Sequence, residues 1–126
     1  MNIPAELKYT RTHEWVQTLK DGTIRVGITD HAQDQLGDLV YINLPGEGDE
    51  VKAGEAFGDV ESVKAVSDLF SPATGTVCAV NEALQDEPEQ MNQAPYEAWI
   101  MEVKDITETE ELLDAEAYRK LCEEEG

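Results

Sequence analysis

Basic residues are scarce in this chain of 126 amino acids: 9 lysines and arginines stand against 28 aspartates and glutamates, for a net charge of −19. A surface so acidic repels phosphate backbones and excludes nucleic acid as a partner. It suits a soluble protein that meets basic patches on other proteins, at rates that fall as salt rises. Long apolar runs are also missing. None approaches the roughly 20 residues of a membrane span, so no membrane contact is expected. The start, Met1-Asn2-Ile3-Pro4-Ala5-Glu6, has no basic stretch leading into an apolar one and no arginine richness, so neither a secretory signal nor a transit peptide is visible and the expected location is the cytoplasm. There are only two cysteines, Cys78 and Cys122. Without CxxC spacing or clustered histidines they argue against a zinc site or a redox pair. His13 and His31, lacking such a cluster, read as structural histidines. No nucleophile–base set and no phosphate loop is present, so the residues give no support to an enzyme.

What is present is enough for one core. Apolar residues make up 40% of the chain, which fits a single domain spanning residues 1–126. After an irregular lead-in, Tyr9 to Val16 passes into a strand, and Asp21-Gly22 is a strong hairpin turn. Ile24, Val26 and Ile28 share one face of the partner strand. Thr29 or Asp30 caps a short helix, Asp30 to Leu36, with Gly37 at its exit. Leu39 to Leu44 is the next strand, Pro45-Gly46 breaks it, and a short strand around Val51 precedes the Gly54 turn. Cys78 falls within a third β-branched strand, Thr76 to Val80, behind a turn at Pro72 to Gly75, and reads as a small core or half-buried residue. Single helical turns are expected near Glu82–Leu84 and up to Gln90, then a strand from Ala98 to Lys104. Thr107-Glu108-Thr109-Glu110 matches a capping box, so residues 107–124 are expected to be helical, with Asp114 capping a second helix. Trp15, Trp99, Tyr41 and Phe70 read as core residues. Many short strands with helices at the edges predict a mainly β fold, a small sandwich or flattened barrel.

The stretch from 56 to 72 stands out. Ala56 to Val60 and Val66 to Phe70 read as two strands of a hairpin, closed by Ser71-Pro72, with Lys64 at the tip. Asp59, Glu61 and Asp68 surround that lysine. An exposed lysine often serves only solubility. At a hairpin tip, though, a modifying enzyme reaches it from all sides, and a group attached there swings clear of the domain.

The motif Glu61-Ser62-Val63-Lys64-Ala65, followed by Ser67-Asp68 and Ser71-Pro72, closely resembles the lipoyl-attachment motif of the glycine cleavage H proteins. Further segments match in order and near spacing: His13-Glu14-Trp15, Val26 to Gln33, Leu36-Gly37-Asp38, Leu44-Pro45, Val80-Asn81, Pro95-Tyr96 with Trp99-Ile100, and Leu112-Leu113 with Tyr118. One departure is the spacing Tyr96-Glu97-Ala98-Trp99, where the family usually has a glycine before the tryptophan and one residue more. That leaves the shape of this loop open. The resemblance implies a barrel-sandwich hybrid of two small sheets, with short flanking helices and a C-terminal helix. Its two similar halves would be roughly residues 38–62 and 66–104, with the lysine between them.

The resemblance also implies the chemistry. Lys64 would carry lipoic acid as an amide, installed by a lipoate ligase or octanoyltransferase that reads Glu61, Ser62, Val63 and Ala65. Nothing around Lys64 is built to activate its amine, which assigns activation to that enzyme. The arm would take the aminomethyl group of glycine from the pyridoxal-phosphate glycine decarboxylase (P protein) and pass it to the tetrahydrofolate-dependent aminomethyltransferase (T protein). Dihydrolipoamide dehydrogenase (L protein) would reoxidise it. The chain would be a monomeric carrier without turnover of its own, and tethering would replace collisions by a high effective concentration. The aminomethyl ammonium gains from a dry groove beside carboxylates, and Glu14, Asp68 and Thr12 are the candidates to hold it. The alternatives are that Glu14 is a solvated strand residue and that Asp68 only helps the modifying enzyme.

Related readings are weaker. A biotinyl domain usually has methionine on both sides of the lysine; Val63 and Ala65 stand there instead. Lipoyl domains of 2-oxoacid dehydrogenases usually place aspartate where Val63 is. A binding module that kept the fold without lipoylation does not explain the intact motif. An H-like protein that relays lipoyl or octanoyl groups to other enzymes would carry the same motif, and it stays open.

Overall fold

The computed structural model describes residues 1–125; Gly126 lies outside the described residues. Hydrophobic alternation and turn chemistry produce two antiparallel sheets. The larger has six strands in the order β1-β2-β3-β9-β8-β5, made of Lys8–Tyr9, Glu14–Thr18, Ile24–Ile28, Met101–Thr109, Ala73–Val80 and Glu50–Val51. The smaller has three strands in the order β4-β6-β7, made of Leu39–Asn43, Ala56–Ser62 and Val66–Phe70. Neither sheet closes into a barrel. The two sheets share one core, in which Val26, Ile28, Val77 and Val103 of the large sheet meet Ile42, Val60 and Leu69 of the small one. Filling such a core is the main favourable term, at roughly 25 cal/mol per Å² of apolar area removed from water.

Among the described residues four helices flank the sheets: α1 Asp30–Leu36, α2 Ala83–Asp86, α3 Gln90–Gln93 and α4 Ala115–Glu125. Thr29 caps α1 by accepting the Ala32 N–H on its hydroxyl at 3.1 Å. Gly37 ends it at φ 80°, a conformation that costs glycine nothing. Asp114 caps α4 through the Ala117 N–H at 2.8 Å. A second apolar cluster joins the chain ends: Ile3, Leu7, Tyr9 and Trp15 pack with Leu113, Tyr118 and Cys122. Tyr9 stacks on Tyr118 at 4.6 Å between centroids, and the backbones of Tyr9 and Leu113 exchange hydrogen bonds at 2.8 and 2.7 Å.

The structure corrects several expectations. The C-terminal helix does not begin at residue 107. Thr107–Thr109 extend β9, because Thr109 pairs with Ala73 and Thr74 with Glu108, and Glu110 then donates its N–H to Pro72 O at 2.7 Å. A ladder with a partner strand outweighs a local cap, so among the described residues of this tail only Ala115–Glu125 are helical. For the same reason no turn forms at 72–75; Ala73 already pairs. Tyr41 is not core. A register shift between Leu39 and Tyr41 turns both Val40 and Tyr41 to solvent. Trp99 is only half-buried, and the Arg25 guanidinium lies over its ring at 5.0 Å. The shortened loop before it closes as a turn, in which Ala98 N–H donates to Ala94 O at 2.9 Å. Trp15 is buried as expected, and its indole N–H donates to Pro95 O at 2.9 Å.

Candidate functional site

The hairpin β6–β7 pairs Glu61 with Val66, Val60 with Ser67 and Asp59 with Asp68, leaving Val63, Lys64 and Ala65 at the tip. Ser62 builds that tip. Its backbone N–H donates to Ala65 O at 2.8 Å, and its hydroxyl oxygen accepts the N–H groups of Ala65 at 3.0 Å and Lys64 at 3.2 Å. Lys64 is exposed and makes no ion pair among the described residues. Val63 and Val66 beside it are 69% and 68% exposed, an apolar collar that solvation alone does not favour. An unpaired amine at an exposed turn fits covalent attachment of a lipoyl group.

A turn from another element fixes the tip in space. Val63 N–H donates to Asp38 O at 3.0 Å. Asn92 of α3 holds that turn, with its side-chain amide donating to Gly37 O at 2.9 Å and its oxygen accepting the Leu39 N–H at 2.9 Å. The Lys64 stem lies over the end of α1, and a Cβ built on Gly37 would stand 3.5 Å from Lys64 Cε. Sequence reasoning missed Asn92. A single polar residue in a one-turn helix carries no signal of its reach.

From that end of α1 a groove of about 300 Å³ runs between α1 and β7. Ala32 and Leu36 supply apolar wall, and Thr12, His13, Ser67 and Glu125 supply polar groups. Thr12 also borders a second hollow with Thr10, Phe70 and Ser71. Beneath Thr12 lies Glu14, which is 1% exposed and so is not a solvated strand residue. Its Oε1 accepts the hydroxyls of Thr10, at 2.6 Å, and of Thr12, at 2.5 Å; its Oε2 accepts the Phe70 N–H at 3.3 Å. Burial pushes its carboxyl up to about 7, against the pull of these donors toward the charged form. The structure thus brings Thr12 and Glu14 together. Asp68 is exposed, and its carboxylate makes no hydrogen bond to either.

The histidines are clustered after all. The rings of His13 and His31 lie 4.7 Å apart, and Cys122 of α4 stands beside them. His13 lies far from both other residues in sequence, so no local spacing could reveal the group. Both cysteines are free thiols; Cys78 is half-buried.

An exposed lysine on a β-hairpin, beside a groove with an apolar wall, is the layout of a swinging-arm carrier. Comparison with known proteins agrees. A model of the family described as Glycine cleavage H-protein matches residues 7–125. The glycine cleavage system H protein of Methylococcus capsulatus is 58% identical over 125 residues, 98% of each chain. That of Lachnoclostridium phytofermentans is 53% identical over 125 residues, covering 99% of this chain and 98% of the relative. The crystal structure of a glycine cleavage system H protein from Mycobacterium marinum superposes with a TM-score of 0.89 at 45% identity, covering 94% of this chain and 97% of that one. The chain belongs to the glycine cleavage H-protein family, the lipoyl carriers of glycine cleavage.

Proposed function

We propose that this chain carries lipoate as an amide on Lys64 and works as a non-catalytic shuttle in the cytoplasm. Its partners are the glycine decarboxylase, the aminomethyltransferase, dihydrolipoamide dehydrogenase and a lipoate ligase or octanoyltransferase. The observation that carries this reading is the unpaired, exposed Lys64 on a tip ordered by Ser62. Bound there, lipoate supplies a disulfide that accepts the aminomethyl group of glycine and yields it to tetrahydrofolate. The chain's own residues do the rest. Ser62, Asp38 and Asn92 present the lysine in one place. Val63, Ala65, Glu61 and the Ser62 turn give the modifying enzyme its recognition surface. Leu36 and Ala32 shelter the hydrocarbon part of the arm. Thr12, with its hydroxyl donated to Glu14, offers lone pairs to an ammonium at the groove's polar end, while the buried Glu14 carboxylate adds charge from behind and Asp68 does so from the hairpin.

The test is intact mass with peptide mapping on protein from cells supplied with lipoate. The expected result is one lipoyl increment on Lys64, absent in Lys64→Arg. An unmodified Lys64 in lipoylation-competent cells sinks the carrier reading.

A further inference from the structure

At its polar end the groove meets a set of donor atoms that the carrier role does not require. His13, His31 and Cys122 each offer one ligand atom, and these atoms lie within 4.8 Å of one another. They come from the turn before β2, the first turn of α1 and the last turns of α4. Glu125 joins them from the same face of α4, one turn after Cys122. Its Oε1 is 2.8 Å from His13 Nε2 and 4.0 Å from His31 Nε2.

We propose that His13, His31, Cys122 and Glu125 form a binding site for a divalent transition-metal cation of the zinc type.

The donor chemistry selects the cation. Two imidazoles, a thiolate and one carboxylate suit zinc and its borderline neighbours, and disfavour calcium and magnesium, which prefer oxygen. The charges balance, since the thiolate and carboxylate together neutralise a divalent ion while the imidazoles stay neutral. The size is close. Zinc bonds of about 2.0–2.3 Å place neighbouring donors about 3.3–3.7 Å apart, so the widest edge of the His13–His31–Cys122 triangle needs to contract by about an ångström. Binding removes the thiol proton of Cys122 and any proton shared between His13 and Glu125, and both pass to solvent.

The surroundings fit a ligating histidine. His13 Nδ1 lies 2.7 Å from the Tyr118 hydroxyl, which lies 2.7 Å from Thr29 Oγ1. With Nδ1–H donating to Tyr118, Nε2 keeps its lone pair for the metal, the usual outer support of a metal-bound imidazole. The Tyr118 ring is itself clamped by stacking on Tyr9. His13 sits at φ 74°, a left-handed conformation rarely adopted by non-glycine residues and common at ligand clamps.

The experiment titrates the full-length, oxidised lipoyl protein and its Lys64→Arg variant with Zn2+ by calorimetry, and with Co2+ by absorption, in an oxygen-free buffer that contains no reductant. Lys64→Arg carries no arm, so it separates this site from the lipoyl thiols. The expected result is one cation per chain in both proteins, with cobalt showing tetrahedral d–d bands and a thiolate charge-transfer band. Cys122→Ser removes that band and Cys78→Ser keeps it. His31→Gln lowers zinc affinity at least tenfold, and Tyr118→Phe lowers it about 10–100-fold. Absence of the thiolate band from the wild-type protein overturns the site without recourse to any variant. So does binding that persists in natively folded Cys122→Ser and His31→Gln, or binding that needs the arm.

Discussion

Glu14 Oε2 accepts the backbone N–H of Phe70 at 3.3 Å, so a buried carboxylate of the large sheet holds the last residue of the lysine hairpin in the small one. That carboxylate has a folded value near 7 against an ordinary 4.5, because burial outweighs its hydroxyl donors. Between those two pH values the folded protein keeps a proton that the unfolded chain has released. Stability from this group is therefore full below about pH 4.5 and falls as pH rises through about 7, by about 3 kcal/mol in all. Glu14→Gln removes this slope. Urea unfolding at several pH values, with EDTA present, reads the difference between the two proteins. Parallel curves would show that Glu14 titrates normally.

Ser62 holds the tip with two N–H groups on one hydroxyl. Ser62→Ala is expected to slow lipoylation of Lys64 several-fold while moving the midpoint of unfolding little, because the turn is exposed. Initial rates with a purified ligase, beside a melting curve, check this. Equal rates would mean that the enzyme shapes the tip itself.

Asn92 acts from further away. Asn92→Ala leaves the Leu39 N–H and the Gly37 carbonyl without their partner, at a cost of about 1–3 kcal/mol. The turn that receives the Val63 N–H loosens with it, so amide exchange at Val63 quickens more than exchange in β9. Uniform quickening would reduce Asn92 to a general stabiliser.

Gly58 packs backbone to backbone: a Cβ there would stand 2.3 Å from Asn43 O. Gly58→Ala must push β4 away from β6. The expected loss is about 1–3 kcal/mol in chemical unfolding, and an unchanged midpoint would show that the strands separate freely.

The groove reading predicts that Thr12→Val and Leu36→Asp each shorten the lifetime of the aminomethyl-loaded form several-fold, measured by loss of the amine from isolated loaded protein. Asp68→Asn does so more weakly, since its carboxylate is exposed. Unchanged lifetimes in Thr12→Val and Leu36→Asp would place the arm elsewhere.

The sequence disclosed what depends on neighbours in the chain. Lys64, its flanking strands and the Thr29-capped helix rest on turn residues and alternation a few positions apart. The helix expected at 107 went wrong because Thr-Glu-Thr-Glu suits a capping box and a strand equally, and Ala73 and Thr74 decide between them from across the fold. Glu14 was marked by its motif, but its burial was not, since polar residues at strand starts are usually wet. The His13–His31–Cys122 group and the reach of Asn92 arise only when distant segments meet.

The central place of β9 in its sheet sets the order in which the molecule can be made. Strands β4, β6 and β7 are near neighbours in sequence, so their pairing closes only short loops. The large sheet waits for residues 101–109, which lie between β3 and β8. The lysine hairpin therefore needs no residue of β9, whereas a product that stops before β9 leaves the edges of β3 and β8 free as templates for aggregation.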